Sequence, residues 1–131
     1  MTARPSLLLV DDNDNMLDLL ELFLHRDYEL RTAQNGFEAL RAAEAQRPDL
    51  ILTDIMMPVM DGIALLNELR RRPDTAKVPV VAITSFAEET TAKSLRNVGF
   101  AAVLPKPFGR SDVVDTVARL VVGAAGAEAA A

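Results

Sequence analysis

The sequence predicts an α/β protein: a doubly wound, five-stranded parallel sheet with five helices on its two faces. Three observations lead to this prediction. Five short apolar runs alternate along the chain with five longer segments of helical periodicity. The central run, residues 50–52, is flanked by Pro48 and Pro58, as a short strand buried on both faces would be. Strands that alternate with helices pair in parallel through right-handed crossovers.

Bulk composition limits the possible functions. The 131 residues suffice for one domain with a sizeable core, and the formal net charge of -5 disfavours capture of nucleic acid or of an anionic membrane. The absence of cysteine excludes disulfides and zinc–thiolate sites, and the single histidine excludes a histidine metal cluster. Neither a signal-peptide pattern nor an apolar run of membrane-spanning length is present. We therefore expect a cytoplasmic protein that neither binds DNA directly nor inserts into membranes.

The strands and helices follow one another without an internal repeat. Strands are predicted at residues 7–10, 28–33, 50–54, 80–84 and 100–104. The second strand is the least apolar, which suits an edge of the sheet. The domain is expected to span residues 6–122. Residues 123–131 are almost all alanine and glycine, and we expect a disordered tail there.

Each helix has an apolar face that we expect to point inward. From the first two helices, the side chains predicted to face the core are Met16, Leu19, Leu20, Phe23, Phe37, Leu40 and Ala43. From the third and fifth helices they are Ile63, Leu66, Leu69, Val113, Val114, Val117, Leu120 and Val121. The fourth helix, residues 89–98, has only a thin apolar face. Caps are expected at Asn13 or Asp14, at Asp61 and at Ser111.

The predicted strand order is 2-1-3-4-5, the flavodoxin-like arrangement that is common for five such units. This order makes the polar second strand an edge of the sheet. It also places strands 1 and 3 side by side, where the direction of chain winding reverses. Ligands of such folds bind outside the C-terminal ends of the strands at this switch point.

Polar residues follow or end every strand except the second. Asp11 and Asp12 follow strand 1, and Asp54 ends strand 3. Close carboxylates repel by about 4 kcal/mol per pair at an effective dielectric constant of about 20, and a divalent cation relieves this repulsion. Oxygen ligands that the protein supplies only in part suit Mg2+. Thr84 and Lys106, at the ends of strands 4 and 5, are then placed to hold the oxygens of a phosphoryl group that Asp54 attacks.

The segments LLLVDD, LILTDIMMPVMDG, VVAITS and LPKPF carry these residues. In this order and spacing they resemble the receiver domain of response regulators in two-component signalling, over about residues 6–122. The resemblance implies a phosphoprotein in which Asp54 accepts a phosphoryl group from a histidine kinase or a histidine phosphotransfer protein of a phosphorelay. Thr84 and Lys106 would contact the phosphoryl oxygens, and the Lys106–Pro107 peptide bond would be cis. Such a protein assists only its own phosphorylation and dephosphorylation and is otherwise not an enzyme.

The resemblance also implies a magnesium site. Asp12, Asp54 and the backbone carbonyl of Met56 would bind Mg2+ directly, and Asp11 would act through water. Phosphorylation of the domain would alter its binding to a downstream protein, which the sequence does not name.

Two positions depart from the usual pattern of the family. Val103 stands where receivers usually carry tyrosine or phenylalanine, three residues before the lysine, and Phe100 stands where a small residue usually follows Gly99. The departures concern the conformational readout rather than the phosphorylation chemistry. Phe86, two residues after the site threonine, is the best-placed candidate for another moving part; the alternative is that it only packs under the fourth helix. Met56 and Phe86 are both apolar and flank the path of the phosphoryl group in receivers.

Three other functions share parts of this pattern. Phosphatases of the haloacid-dehalogenase type use a strand-end aspartate, Mg2+, a hydroxyl and a lysine, but they need a second aspartate two residues later. After strand 1, only Asp12 and Asp14 have that spacing. A flavodoxin-like electron carrier shares the fold, but no hydroxyl- and glycine-rich loop follows strand 1. A binding module that works without phosphorylation is kept open by Val103.

Overall fold

The structure, a computed structural model, describes the backbone of residues 4–85 and 89–130 and the side chains of residues 4–85 and 91–121. Within these residues, strands and helices alternate from one end to the other. The strands are β1 (Ser6–Val10), β2 (Glu29–Ala33), β3 (Leu50–Asp54), β4 (Val80–Thr84) and β5 (Ala102–Pro105). The helices are α1 (Asp14–Leu24), α2 (Gly36–Ala45), α3 (Gly62–Arg70), α4 (Glu89–Val98) and α5 (Arg110–Ala130).

The strands form one sheet in the order β2-β1-β3-β4-β5, and all pairs are parallel. This confirms the predicted fold class and strand order. The central strands β3 and β4 are buried over their whole length, as their unbroken apolar runs indicated. Because β1 lies beside β3, with Val10 next to Thr53, the chain segments that follow these two strands emerge together at one edge of the sheet.

Two apolar layers cover the sheet. One lies under α2, α3 and α4 and includes Leu40, Leu66 and Leu95. The other lies under α1 and α5 and includes Leu20 and Val117. Side chains of β1 alternate between the two layers, so that the sheet joins them into one fold.

Some predicted helix faces are wrong in detail. Leu19 is 36% exposed and Phe37 is 51% exposed, although both were expected in the core. In α1 the predicted Leu20 is buried, and the other buried residues are Leu17 and Leu24. Leu17, Leu20 and Leu24 have helical spacing, as do the predicted positions, and periodicity alone does not choose between two overlapping apolar stripes. The contact with the sheet makes the choice.

The helix ends follow the predictions in two cases of three. The side chain of Asn13 caps α1, and the side chain of Asp61 caps α3. Ser111 is not a cap, because α5 already begins at Arg110 and the carboxylate of Asp112 accepts a hydrogen bond from the Gly109 N–H at 2.9 Å. No helix within the described part of the chain has both the length and the apolar character needed to cross a membrane.

The last helix reaches further than the predicted domain boundary. We expected disorder from residue 123 onward, whereas the backbone of α5 is helical to Ala130. Alanine has the highest helix propensity of all residues, which explains why a helix can continue through this composition. A run rich in alanine therefore does not by itself indicate a disordered tail.

The loop between β3 and α3 contains a strained residue. Val59 has a φ angle of 72°, and its side chain is 85% exposed. A β-branched side chain is unfavourable in this left-handed region, and an exposed one gains little from packing. The loop thus holds a conformation that its own sequence disfavours.

We predict that Val59→Asn raises the free energy of unfolding by about 1 kcal/mol, because asparagine tolerates the left-handed conformation. The melting temperature should increase by about 3 °C, as measured by circular dichroism. Val59→Ala is the matched control, since it removes the branched side chain but still places a Cβ atom in the same conformation. An asparagine variant that melts at or below the wild-type temperature would contradict the assigned strain.

Candidate functional site

Polar side chains meet at the C-terminal edge of the sheet. Asp11 and Asp12 directly follow β1, and Asp54 is the last residue of β3. One carboxylate oxygen from each of these three residues lies within 4.8 Å of the others. We call these residues the acidic cluster. The predicted convergence of the three carboxylates is therefore present in the fold.

Lys106 supplies the positive charge beside the acidic cluster. Its Nζ atom lies 3.5 Å from Asp11 Oδ2 and 3.5 Å from Asp54 Oδ1. The Lys106 N–H donates a hydrogen bond to the backbone carbonyl of Thr84 at 2.8 Å, which ties the end of β5 to the end of β4. Thr84 itself is buried at the end of β4. The peptide bond between Lys106 and Pro107 is cis, as expected.

The position of Asp11 is fixed by the start of α1. The Asn13 N–H donates a hydrogen bond to Asp11 Oδ1 at 2.9 Å, while the Asn13 side chain accepts bonds from the first turn of the helix. The Asp11 N–H in turn donates to the backbone carbonyl of Ala33 at 3.1 Å. Asn13 was predicted only as a cap. Its second role could be recognised from its position two residues after an aspartate, where a backbone N–H can reach back to the carboxylate.

The first turn of α3 approaches the backbone of Asp54 closely at Gly62, a residue that was not predicted to belong to the site. A Cβ atom on Gly62 would lie only 2.6 Å from the backbone oxygen of Asp54. The Gly62 N–H also donates to the carbonyl of Ile55 at 3.0 Å. Gly62 therefore lets the first turn of α3 approach the strand end directly. The Asp-Gly pair at residues 61 and 62 signals such a close approach, because it combines a helix cap with a residue that has no side chain.

The acidic cluster is electrostatically uneven. Asp11 is 1% exposed and Asp54 is 7% exposed, whereas Asp12 is exposed to solvent. Burial raises the pKa of the Asp11 carboxyl above its ordinary value; the Asn13 N–H opposes this, and the charge of Asp54 adds to it. Asp11 Oδ2 is buried and has no hydrogen-bond partner among the described residues, although Lys106 lies near it.

These residues fit a magnesium ion. The donor set consists of carboxylate oxygens, one of which is buried without a hydrogen-bond partner in the described part of the chain. Mg2+ prefers a few carboxylates and completes its coordination with water and phosphate oxygens. The predicted ligand Met56 follows two residues after Asp54 with its side chain exposed, and the role of its carbonyl stays a prediction.

A comparison with protein families identifies the domain. The family model for the response regulator receiver domain matches residues 7–118. The chain belongs to the receiver domain family. It is therefore a receiver domain of two-component signalling. In this family phosphorylation on aspartate is typical, and histidine kinases are the partners.

Proteins of different sizes share this receiver domain. The response regulator DivK of Brucella anthropi is 34% identical over 113 residues, which cover 86% of this chain and 92% of DivK. The sensor histidine kinase TmoS of Ectopseudomonas mendocina is 30% identical over 118 residues, which cover 90% of this chain but 12% of the kinase. The chain thus spans nearly all of one relative and a small part of the other.

Solved structures share the fold. The chemotaxis response regulator CheY4 of Vibrio cholerae has a TM-score of 0.84 at 28% identity, covering 90% of this chain and 99% of CheY4. The receiver domain of the sensor histidine kinase PA1611 of Pseudomonas aeruginosa has a TM-score of 0.83 at 32% identity, covering 91% of this chain and 98% of that domain. The latter structure has a magnesium ion coordinated in its active-site cleft.

The two unusual residues of this receiver domain lie on the α4 side of the sheet. Phe100 is 3% exposed and belongs to the core under α2, α3 and α4. Val103 is half-buried and packs against the same core. Phe86, the expected alternative switch, lies outside the described residues. The readout of this receiver domain therefore stays a prediction.

We predict that Asp11→Asn raises the free energy of unfolding of the metal-free receiver domain by about 1–2 kcal/mol at pH 7, because it removes a buried, partly compensated charge. Because the folded state raises the pKa of Asp11, ionisation weakens the fold as the pH rises above the ordinary value of 3.8. The gain should therefore fade as the pH falls toward that value. Urea unfolding in chelator, at several pH values, measures it.

Asp12→Asn is the matched control for this substitution. It removes the same charge from an exposed position in the same cluster and should give a smaller gain. Equal gains at the two positions, or a loss of stability for Asp11→Asn at pH 7, would show that burial of Asp11 is not the source of the strain.

Proposed function

We propose that Asp54 is the phosphoacceptor of this receiver domain. In this proposal a histidine kinase or a histidine phosphotransfer protein phosphorylates Asp54 in the presence of Mg2+, and the phosphorylated domain changes its binding to a downstream protein. The observation that carries the proposal is the position of Asp54: it is the carboxylate at the end of the central strand β3, beside Lys106 and within the acidic cluster.

The arrangement favours Asp54 over Asp11 as the nucleophile. One oxygen of Asp11 already accepts a hydrogen bond from Asn13, and its side chain is almost completely buried. Lys106 lies equally near both carboxylates, but Asp54 retains more exposure to solvent than Asp11. Asp12 is exposed and lies at the rim of the cluster, which suits a metal ligand.

The reaction transfers a phosphoryl group from nitrogen to oxygen. A carboxylate oxygen of Asp54 attacks the phosphorus atom, the bond to the histidine nitrogen breaks, and the imidazole leaves with that electron pair. Lys106 balances negative charge on the phosphoryl oxygens, and the hydroxyl of Thr84 donates a hydrogen bond to one of them. Asp11, Asp12, Asp54 and the carbonyl of Met56 would hold Mg2+, which neutralises charge on the phosphoryl group when bound.

The rival function as a phosphatase has less support. It would require Asp14 to act as acid and base two residues after a nucleophilic Asp12. In the structure, Asp14 lies in the first turn of α1 and accepts a hydrogen bond from the side chain of Gln34. In this proposal the chain is a signalling domain that assists its own phosphorylation and dephosphorylation and catalyses no other reaction.

The setting of the reaction is part of the proposal. We place it in the cytoplasm, where histidine kinases have access to ATP. The net charge of -5 supports a protein target rather than direct contact with DNA, and the same charge does not favour an anionic membrane surface.

We predict that acetyl phosphate adds one phosphoryl group to the wild-type protein when Mg2+ is present and none when a chelator replaces the metal. Intact-mass measurement should find no such adduct on Asp54→Ala, since the attacking carboxylate is gone. Asp74→Ala is the matched control: Asp74 is exposed in the segment between α3 and β4, and its replacement should leave the adduct unchanged. If Asp54→Ala still carried as much of the adduct as wild type, Asp54 would not be the phosphoacceptor.

A further inference from the structure

The outer edge of β2 is open. β2 is the first strand in the order of the sheet, and in the part of the chain that the structure describes it pairs only with β1. The Glu29 N–H donates to the carbonyl of Pro5 at 2.9 Å, and the Ala33 carbonyl accepts from Asp11 at 3.1 Å. Successive residues of a strand direct their backbone groups to opposite sides. The N–H and C=O groups of residues 30 and 32 therefore point outward.

The space beside this edge is a groove of about 800 Å³. It is lined by β2 and by residues near the C-terminal ends of α1 and α2, including His25 and Gln46. Neither flanking helix thus covers the outer side of β2. A further strand could reach the outward backbone groups without displacing a helix.

β2 carries two opposite charges, two residues apart. Glu29 is exposed and forms no ion pair among the described residues. Arg31 is half-buried: its guanidinium donates to the carbonyl of Ala42 at 2.8 Å and to that of Gln46, and its buried Nε atom has no hydrogen-bond partner within the described part of the protein. Because residues 29 and 31 share one face of the sheet, both side chains lie on the side of α2.

This charge pattern is complementary to itself in one register. If a second copy of β2 runs antiparallel with Leu30 opposite the same residue of the other copy, Glu29 of each copy lies opposite Arg31 of the other. Residues 29 and 31 then form non-hydrogen-bonded pairs, whose side chains approach most closely, while the two Leu30 residues exchange both backbone hydrogen bonds. In the neighbouring register, Leu30 would lie opposite Thr32 of the other copy and Arg31 opposite the same residue of the other copy. The repulsion between the two arginines makes this register unfavourable.

We propose that two copies of this chain associate through β2, in the antiparallel register that pairs Glu29 with Arg31, to form one continuous ten-stranded sheet. The strand is only five residues long, so the interface is at the small end of specific interfaces and the dimer is weak and concentration-dependent. Edge charges often discourage strand addition. Here they discourage the shifted register and favour one partner, a second copy. The proposal does not depend on phosphorylation.

The test is sedimentation velocity of the full chain over about 10 μM to 1 mM, a range that brackets weak association. The weight-average mass of wild type should rise toward that of two chains. Glu29→Arg and Arg31→Glu should each raise the dissociation constant more than about tenfold, because each replaces both attractive pairs by repulsive ones. An equimolar mixture of the two variants should dimerise again, since every charge then faces its opposite.

Three further variants keep the test decisive. Asp74→Arg makes the same change of charge as Glu29→Arg at another exposed position and should dimerise like wild type. Should the loss of its bonds to α2 prevent Arg31→Glu from folding, Thr32→Pro serves instead: it removes an outward N–H from an edge strand, where proline is tolerated, and should abolish the dimer. Asp54→Ala should dimerise normally, which separates this proposal from the proposed phosphorylation.

Two results would overturn the proposal. One is a wild-type protein that remains a monomer at the highest concentration, which would leave the edge to a peptide of another protein or to no partner. The other is a Glu29→Arg variant that dimerises as strongly as wild type, which would place the contact elsewhere on the surface.

Discussion

The proposed chemistry depends on the repulsion of three carboxylates that the fold brings together at one edge of the sheet. Because β1 and β3 are neighbours, the residues that follow β1 and the residue that ends β3 cannot avoid one another. One ammonium group, that of Lys106, lies beside two of these carboxylates. One positive charge against three negative charges leaves the edge with a net attraction for cations. This imbalance connects the fold to the proposed chemistry.

The surrounding fold holds the charges in place rather than letting them separate. The apolar strands β3 and β4 are buried throughout, and they fix the position of Asp54 at the C-terminal end of β3. Gly62 allows the first turn of α3 to pack directly against the strand end, and Asn13 binds Asp11 through its backbone N–H. Relaxation of the repulsion would thus require disruption of a helix start or of the central sheet. The energy of packing in two apolar layers opposes that disruption.

Much of this arrangement could be predicted from the sequence. The strand order follows from the alternation of strands and helices and from the polarity of β2, and the site follows from the residues that end the strands. Leu19 and Phe37 were misplaced because their helices carry overlapping apolar stripes, between which only contact with the sheet decides. The continuation of α5 was missed because a segment rich in alanine is compatible by composition with a helix and with a disordered tail. The departures did not affect the site, because sheet topology and not helix orientation brings its residues together.

Other features depend on distances that a sequence does not contain. The sequence grouped Asp11 and Asp12 with Asp54 but gave no sign that Asp11 is buried while Asp12 is exposed. The left-handed backbone at Val59 was equally invisible, since valine is among the residues that least favour it. Both features are properties of turns, where a difference of one dihedral angle changes which side chain faces solvent.

Lys106 only partly balances the acidic cluster, and the affinity for Mg2+ measures how far it does so. Isothermal titration calorimetry of Mg2+ binding to wild type and to Lys106→Met compares a charged side chain with a neutral one of similar length. Removal of the nearby positive charge should tighten Mg2+ binding by at least about tenfold, because repulsion between the two cations is lost. Unchanged or weaker binding in the folded variant would mean that the charge of Lys106 does not compete with a cation at this site.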